Sequence, residues 1–220
     1  DYVYLNGLDG LPEDLPELAR RMSDRHFGVG SDGLICICPS QTADFKMRIF
    51  NADGSEGEMC GNGIRCLGKY VYDKGLTGKR ELIVETAAGL RTLELLVKNG
   101  LVASVRVDMG CPQVGEPLEL MAAGKSWTVT SVSMGNPHGV LFVDRLEALD
   151  LEGLGPQFEH HPAFPQGINT EFVACPAPDR LTIRVWERGS GATLACGTGA
   201  CAALAAAVVQ GRTGRQVSAQ

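Results

Sequence analysis

The chain lacks a run of basic residues, a long apolar stretch and close cysteine pairs, and each absence removes a class of protein. Its 20 Lys and Arg stand against 26 Asp and Glu, a formal charge of −6 over 220 residues. A surface that tracks phosphates shows a basic patch, so no nucleic-acid partner is expected. The longest apolar candidate, Ala200 to Val209, is about half of the roughly 18 residues that a membrane span requires, so no membrane partner is expected either. No charged segment followed by an apolar core opens the chain, and no secretory leader is read. The eight cysteines, at 36, 38, 60, 66, 111, 175, 196 and 201, are scattered. Structural zinc wants Cys-x-x-Cys pairs facing one another, and a disulfide frame belongs to chains too small to build a core; no metal is expected. The remaining composition, 44% apolar and 21% charged, is that of a cored globular protein, read here as mildly acidic, soluble and cytoplasmic. Both ends read as cut: Asp1 precedes the run Tyr2-Val3-Tyr4, and Gln220 follows a Gly/Arg-rich stretch.

Hydrophobic periodicity predicts a helix from Pro12 to Asp24, with Leu15, Leu18, Ala19 and Met22 on one face. A glycine-rich turn, Arg25 to Gly33, follows. Strands are expected at Leu34–Cys38 and Phe45–Phe50, a helix at Asn62–Asp73, and strands at Leu82–Glu85 and Leu90–Lys98. Asn99-Gly100 is a two-residue hairpin signal into a strand from Leu101 to Met109. Gly110 to Pro117 is the candidate domain boundary, giving halves 1–112 and 113–220. The second half reads as strands near Trp127–Ser133, Val140–Val143, Thr170–Val173 and Leu181–Trp186, a short helix near Leu151–Phe158 and a last helix over Thr198–Val209. This pattern is α+β, strands in antiparallel hairpins with helices among them, rather than a βαβ rhythm.

Met59-Cys60-Gly61-Asn62-Gly63 opens the helix of the first half and Ala195-Cys196-Gly197-Thr198-Gly199 that of the second, an offset of 136 residues (196 minus 60). Beyond the helix start the sequence echo fades, so the halves share a local design around a cysteine. A cysteine just before a helix sits where unpaired N–H groups and the helix dipole favour negative charge, which lowers its thiol pKa. Flanking glycines let the backbone approach a ligand closely. One such motif is no more than a helix cap. Two suit inversion at a carbon acid, where one thiolate removes a proton from one face and the other thiol returns one to the opposite face. Such chemistry needs no metal and no pyridoxal lysine.

Several motifs together resemble the diaminopimelate epimerases. They are Phe50-Asn51-Ala52-Asp53-Gly54-Ser55-Glu56, Glu58 to Cys66, Met134-Gly135-Asn136-Pro137-His138, Ile168-Asn169-Thr170-Glu171-Phe172, and Trp186-Glu187-Arg188-Gly189-Ser190-Gly191 running on to Leu194–Gly199. The resemblance spans essentially the whole chain. It implies two pseudo-symmetric domains, each of antiparallel strands wrapped around a central helix, with the active site in the cleft between them. It implies a cofactor-independent epimerase that interconverts LL- and meso-2,6-diaminopimelate in lysine and peptidoglycan-precursor synthesis, working as a homodimer. Carried over, Cys60 and Cys196 are the two bases, and His138 and Glu187 tune them and hold the reacting ammonium. Gly61-Asn62 and Gly197-Thr198 clamp the reacting carboxylate, while Asn51, Asn136, Asn169 and Arg188 bind the distal groups, an Arg fork suiting a carboxylate. Relatives carry a further Asn ahead of Asp1, and some carry Gln where this chain has Gly33. His160-His161, tempting as metal ligands, have no partner spacing and read as a solvated loop. Proline racemases and hydroxyproline epimerases share the two-thiol chemistry, but they show His after the first Cys-Gly, where this chain has Asn62. A non-catalytic redox switch made by the cysteine pair is the rival from another class.

Overall fold

A computed structural model describes residues 1–220, which fall into two units, Asp1–Asp108 and Met109–Gln220. The N-terminal unit runs β1 (Tyr2–Asn6), α1 (Leu15–Ser23), β2 (Gly33–Cys38), β3 (Phe45–Asn51), β4 (Glu56–Gly57), α2 (Gly61–Asp73), β5 (Glu81–Thr86), β6 (Gly89–Lys98) and β7 (Leu101–Val107). Its sheet order is β1-β2-β3-β5-β6-β7, with β4 on β3. Ile64, Leu67 and Val71 of α2 bury against Ile35, Ile37, Leu82 and Leu93, the face that periodicity marked out. Asn99 and Gly100 both take positive φ, 52° and 80°, as a two-residue hairpin between right-twisted strands demands.

The C-terminal unit runs β8 (Gln113–Ala122), β9 (Lys125–Ser133), β10 (Pro137–Phe142), α3 (Leu151–Glu159), β11 (Asn169–Ala177), β12 (Arg180–Glu187), β13 (Gly191–Thr193), α4 (Gly197–Val209) and β14 (Ser218–Ala219). Its order is β13-β12-β11-β10-β9-β8, with β14 on β12. α4 presents Ala202, Ala203, Ala206 and Ala207 to Val132, Val140, Val173 and Leu181, small side chains that let helix and sheet approach closely. Each sheet is mainly antiparallel, and each also contains two parallel pairings, β1 with β2 and β3 with β5 in one, β10 with β11 and β12 with β14 in the other. The sheets are therefore mixed, which the hairpin signals alone did not announce. Strand β8 was not expected either. It carries Pro117 and a register shift between Val114 and Pro117, and most of its side chains are exposed, so it has no alternating apolar pattern to read.

The units repeat one design, and the 136-residue offset extends far beyond the helix starts. Helix α1 at Leu15–Ser23 recurs as α3 at Leu151–Glu159, and α2 at Gly61–Asp73 as α4 at Gly197–Val209. The caps recur as well: Asp14 accepts from the Glu17 amide, and Asp150 from the Gly153 amide. Strand register follows suit. Tyr4 pairs with Ile35, and Ile35 with Ile49, in the first unit; Val140 pairs with Glu171, and Glu171 with Val185, in the second. Sequence similarity fades because different side chains serve the same backbone.

Candidate active site

The two cysteines sit on the same joint. Cys60 is the N-cap of α2, extended at φ −129° and ψ 113°, and its Sγ accepts from the Gly63 amide at 3.3 Å. Cys196 caps α4 at φ −119° and ψ 116°, its Sγ accepting from the Gly199 amide at 3.4 Å. Each sulfur thus stands where Ser or Asp stands in an ordinary cap. The glycines that follow are required by space. A Cβ on Gly63 would lie 2.4 Å from Ile35 Cδ1, and one on Gly199 would lie 2.5 Å from Glu171 Oε1. On the N-terminal side, the Tyr4 hydroxyl donates to the Gly63 carbonyl at 2.9 Å. Burial, with the nearby Cys66 and Cys60 next, keeps that phenol protonated by raising its pKa. The Asn62 amide oxygen accepts from Arg65. Asn51, at the end of β3, donates to Ser55 Oγ at 3.0 Å across a turn that Asp53 also holds.

In the C-terminal unit the candidate residues form a connected chain. Cys196 Sγ lies 3.3 Å from Thr198 Oγ1, which accepts from Asn136 Nδ2 at 3.3 Å. Asn136 Oδ1 lies 3.0 Å from His138 Nε2, and His138 Nδ1 lies 2.7 Å from Glu171 Oε1. His138 and Glu171 are both fully buried. Burial pushes the Glu171 carboxyl above the ordinary carboxylate range, against the pull of His138. The expectation of a lowered thiol at this helix start is reversed. Burial, then the nearby Glu187 and Glu171 carboxyls, pushes Cys196 up to about 12, while the Thr198 and Gly199 donors act the other way. Desolvation outweighs the helix dipole here.

Asn169 is occupied structurally: its amide donates to the Pro137 carbonyl at 2.9 Å and accepts from the Arg188 amide at 2.9 Å. Arg188 donates to the Gln166 carbonyl at 3.1 Å, and Glu187 accepts from the Thr193 hydroxyl. Behind this loop, Glu159 takes the Trp186 indole N–H at 2.7 Å on one oxygen and the Gly189 amide at 2.8 Å on the other. Motif reading assigned no role to Glu171, Glu159 or Tyr4. The one signal for Glu171 was a lone carboxyl inside a strand-like segment that ends in Phe172-Val173. His161 accepts from the Ala163 amide through Nδ1 in an exposed loop. A hollow of about 740 Å³ in this unit, beside Trp127, Arg145 and Gln157, contains none of the candidate residues.

Paired mixed sheets, each with a Cys-capped helix, define the class. The crystal structure of a probable proline racemase from Agrobacterium radiobacter K84 matches with a TM-score of 0.73 over 96% of this chain and 75% of that one, at 18% identity. A likeness at that identity speaks for the fold alone. The sequence goes further. A family model described as diaminopimelate epimerase matches residues 1–115 and 130–220. A diaminopimelate epimerase of Acetivibrio thermocellus is 51% identical over 233 residues, covering 99% of this chain and 82% of that protein. One of Desulfitobacterium hafniense is 51% identical over 234 residues, covering 99% and 83%. The chain belongs to the diaminopimelate epimerase family, and so to the isomerases.

Proposed function

We propose that the chain interconverts LL- and meso-2,6-diaminopimelate without a cofactor, with Cys60 and Cys196 as base and acid on one α-carbon. The repeated cap geometry supports this reading most directly: two thiols on equivalent joints, each beside a helix N-terminus. One sulfur, as thiolate, takes the α-proton, and the electron pair left on carbon spreads into the adjacent carboxylate. The amide ends at Gly61-Asn62 and Gly197-Thr198 favour that growing charge. The other sulfur then gives its proton to the opposite face, so the two thiols exchange protonation states in each turnover. Cys196, held protonated by its surroundings, is the acid of the resting state.

His138 and Glu187 govern the charge around Cys196 and hold the reacting ammonium. Arg188 pairs with the distal carboxylate, and Asn51 and Asn136 contribute polar contacts. Asn169 acts by fixing the Arg188 backbone. The enzyme serves lysine and peptidoglycan-precursor synthesis as a cytoplasmic homodimer. The proline racemase alternative is not favoured, because Asn62 stands where that family has His and the likeness there is one of fold.

Incubating LL-diaminopimelate with reduced protein in heavy water tests the reading. Deuterium at one α-carbon with appearance of the meso isomer, lost in Cys196→Ala and in Cys60→Ala, is the expected result. Formation of the meso isomer that persists in Cys196→Ala would remove Cys196 from the chemistry.

A further inference from the structure

The repeat exposes one buried difference between the halves. Ile35 and Glu171 are equivalent by register and by the 136-residue offset, and each lies under the glycine of its Cys-Gly-x-Gly helix start. Both are fully buried. The first unit fills the place with hydrocarbon, and the second fills it with a carboxyl. Glu171 Oε2 has no hydrogen-bond partner; the side chain that meets Oε1 is His138, through Nδ1, and the residue's own backbone amide also faces the carboxyl. Isolated charge at such a place is costly, and removing it by sharing a proton with a neighbour is the usual outcome.

That requirement sets the direction of the bonds from His138 to Thr198 and so which hydrogen is free for Cys196. A neutral pair needs one proton between Nδ1 and Oε1 in addition to the imidazole's own, and that second proton then sits on Nε2. His138 Nε2–H therefore donates to Asn136 Oδ1. This turns the other end of the amide, Nδ2, toward Thr198 Oγ1 as donor. Accepting from the amide, the Thr198 hydroxyl keeps its own hydrogen free for Cys196 Sγ, 3.3 Å away. Were Glu171 an unprotonated carboxylate beside a neutral imidazole, Nε2 would be an acceptor. The amide would then reverse, and Thr198 would turn its hydrogen away from the sulfur.

We propose that Glu171 is a positioning residue for Cys196: its buried carboxyl keeps a second proton on the His138–Glu171 pair, and Asn136 and Thr198 pass that polarity on as an O–H donor to the sulfur. The proposal rests on the reading of Cys196 as one of the two bases. It answers a need of that reading, since Cys196 becomes a thiolate in a buried place once it has given its proton away. The groups that face Glu171 are His138 from β10, Glu187 from β12 and Cys196 at the start of α4.

Glu171→Gln keeps the shape and removes the proton-sharing group. Because the wild-type pair is neutral overall, the substitution leaves the charge near Cys196 unchanged and frees the relay to reverse. The expected result is a fall of about tenfold in iodoacetamide alkylation of Cys196 in alkaline buffer, where a raised thiol begins to ionise, read by peptide mapping against Cys60 in the same molecules, as loss of a hydrogen bond to a charged sulfur predicts. A rise in that rate would mean that Glu171 acts only as a nearby negative charge, and an unchanged rate that the relay carries no polarity; either overturns the proposal. The assay uses no substrate, so it stands apart from the heavy-water test of Cys196 as a base. A second measurement covers a variant that does not fold: nitrogen-15 spectra of the wild-type histidines, of which there are four. A proton on His138 Nε2 is the expected result, and an Nδ1–H tautomer with bare Nε2 would overturn the inference.

Discussion

Cys60 and Cys196 each cap a helix and, in the proposed reaction, carry a proton on the same side chain, and substitution can separate the two. Serine is a better cap than cysteine and a far weaker base at carbon. Cys60→Ser is therefore expected to keep its melting temperature within about 2 °C while proton exchange collapses. Cys60→Ala is expected to lose exchange and also about 0.5–1 kcal/mol of stability, read by urea titration. The other thiols sort by environment. Burial, then the neighbouring Cys38, pushes Cys36 up to about 12, so it stays unmodified by neutral iodoacetamide while exposed Cys66 and Cys111 react. A raised folded-state pKa stabilises the fold fully below the ordinary thiol value of 9.0, and that contribution fades as pH climbs toward about 12. Stability measured from pH 9.0 upward should fall less steeply in Cys36→Ala than in wild type.

Among the elements, α3 does the least visible work for the site. Gly155 lies against the face of Trp186, and a Cβ there would stand 2.1 Å from its ring. The indole in turn donates to Glu159, which holds the Gly189 amide of the Glu187-Arg188-Gly189 turn. Gly155→Ala is expected to displace the ring, cost roughly 1–3 kcal/mol and raise KM for diaminopimelate more than it lowers kcat. Equal changes in both would show that the turn is held by other means. The existence of α2 and α4 was legible from their caps and spacing, each one residue short at its start. The short strands β4, β13 and β14, two or three residues long, were not, because a strand of that length is defined by its neighbour and leaves no period to detect.

For the molecule as a whole, the two units answer differently to the same side chain, because different groups await it. Glu171 meets His138, whereas the equivalent position in the first unit sits in a hydrocarbon core of Ile37, Ile64 and Leu67. Ile35→Glu is expected to cost roughly 3–5 kcal/mol, the penalty of a buried charge without a partner, which would unfold much of the protein at room temperature by circular dichroism. Near-normal stability in that variant would mean that the N-terminal unit can also neutralise a carboxyl at this place.

The sequence by itself determined the two cysteine-capped helices, the apolar faces that bury them, the hairpin at Asn99-Gly100 and the family. These are local features, written in spacing and in short motifs whose chemistry depends on few residues. Tertiary structure decided the mixed pairing of the sheets, the reach of the repeat beyond its similar sequence, the raised Cys196 thiol and the line of groups from Glu171 to its sulfur. Residues far apart in the chain meet there across strands, and burial, which reverses the effect of a helix start on a thiol, exists only once those strands have been assembled.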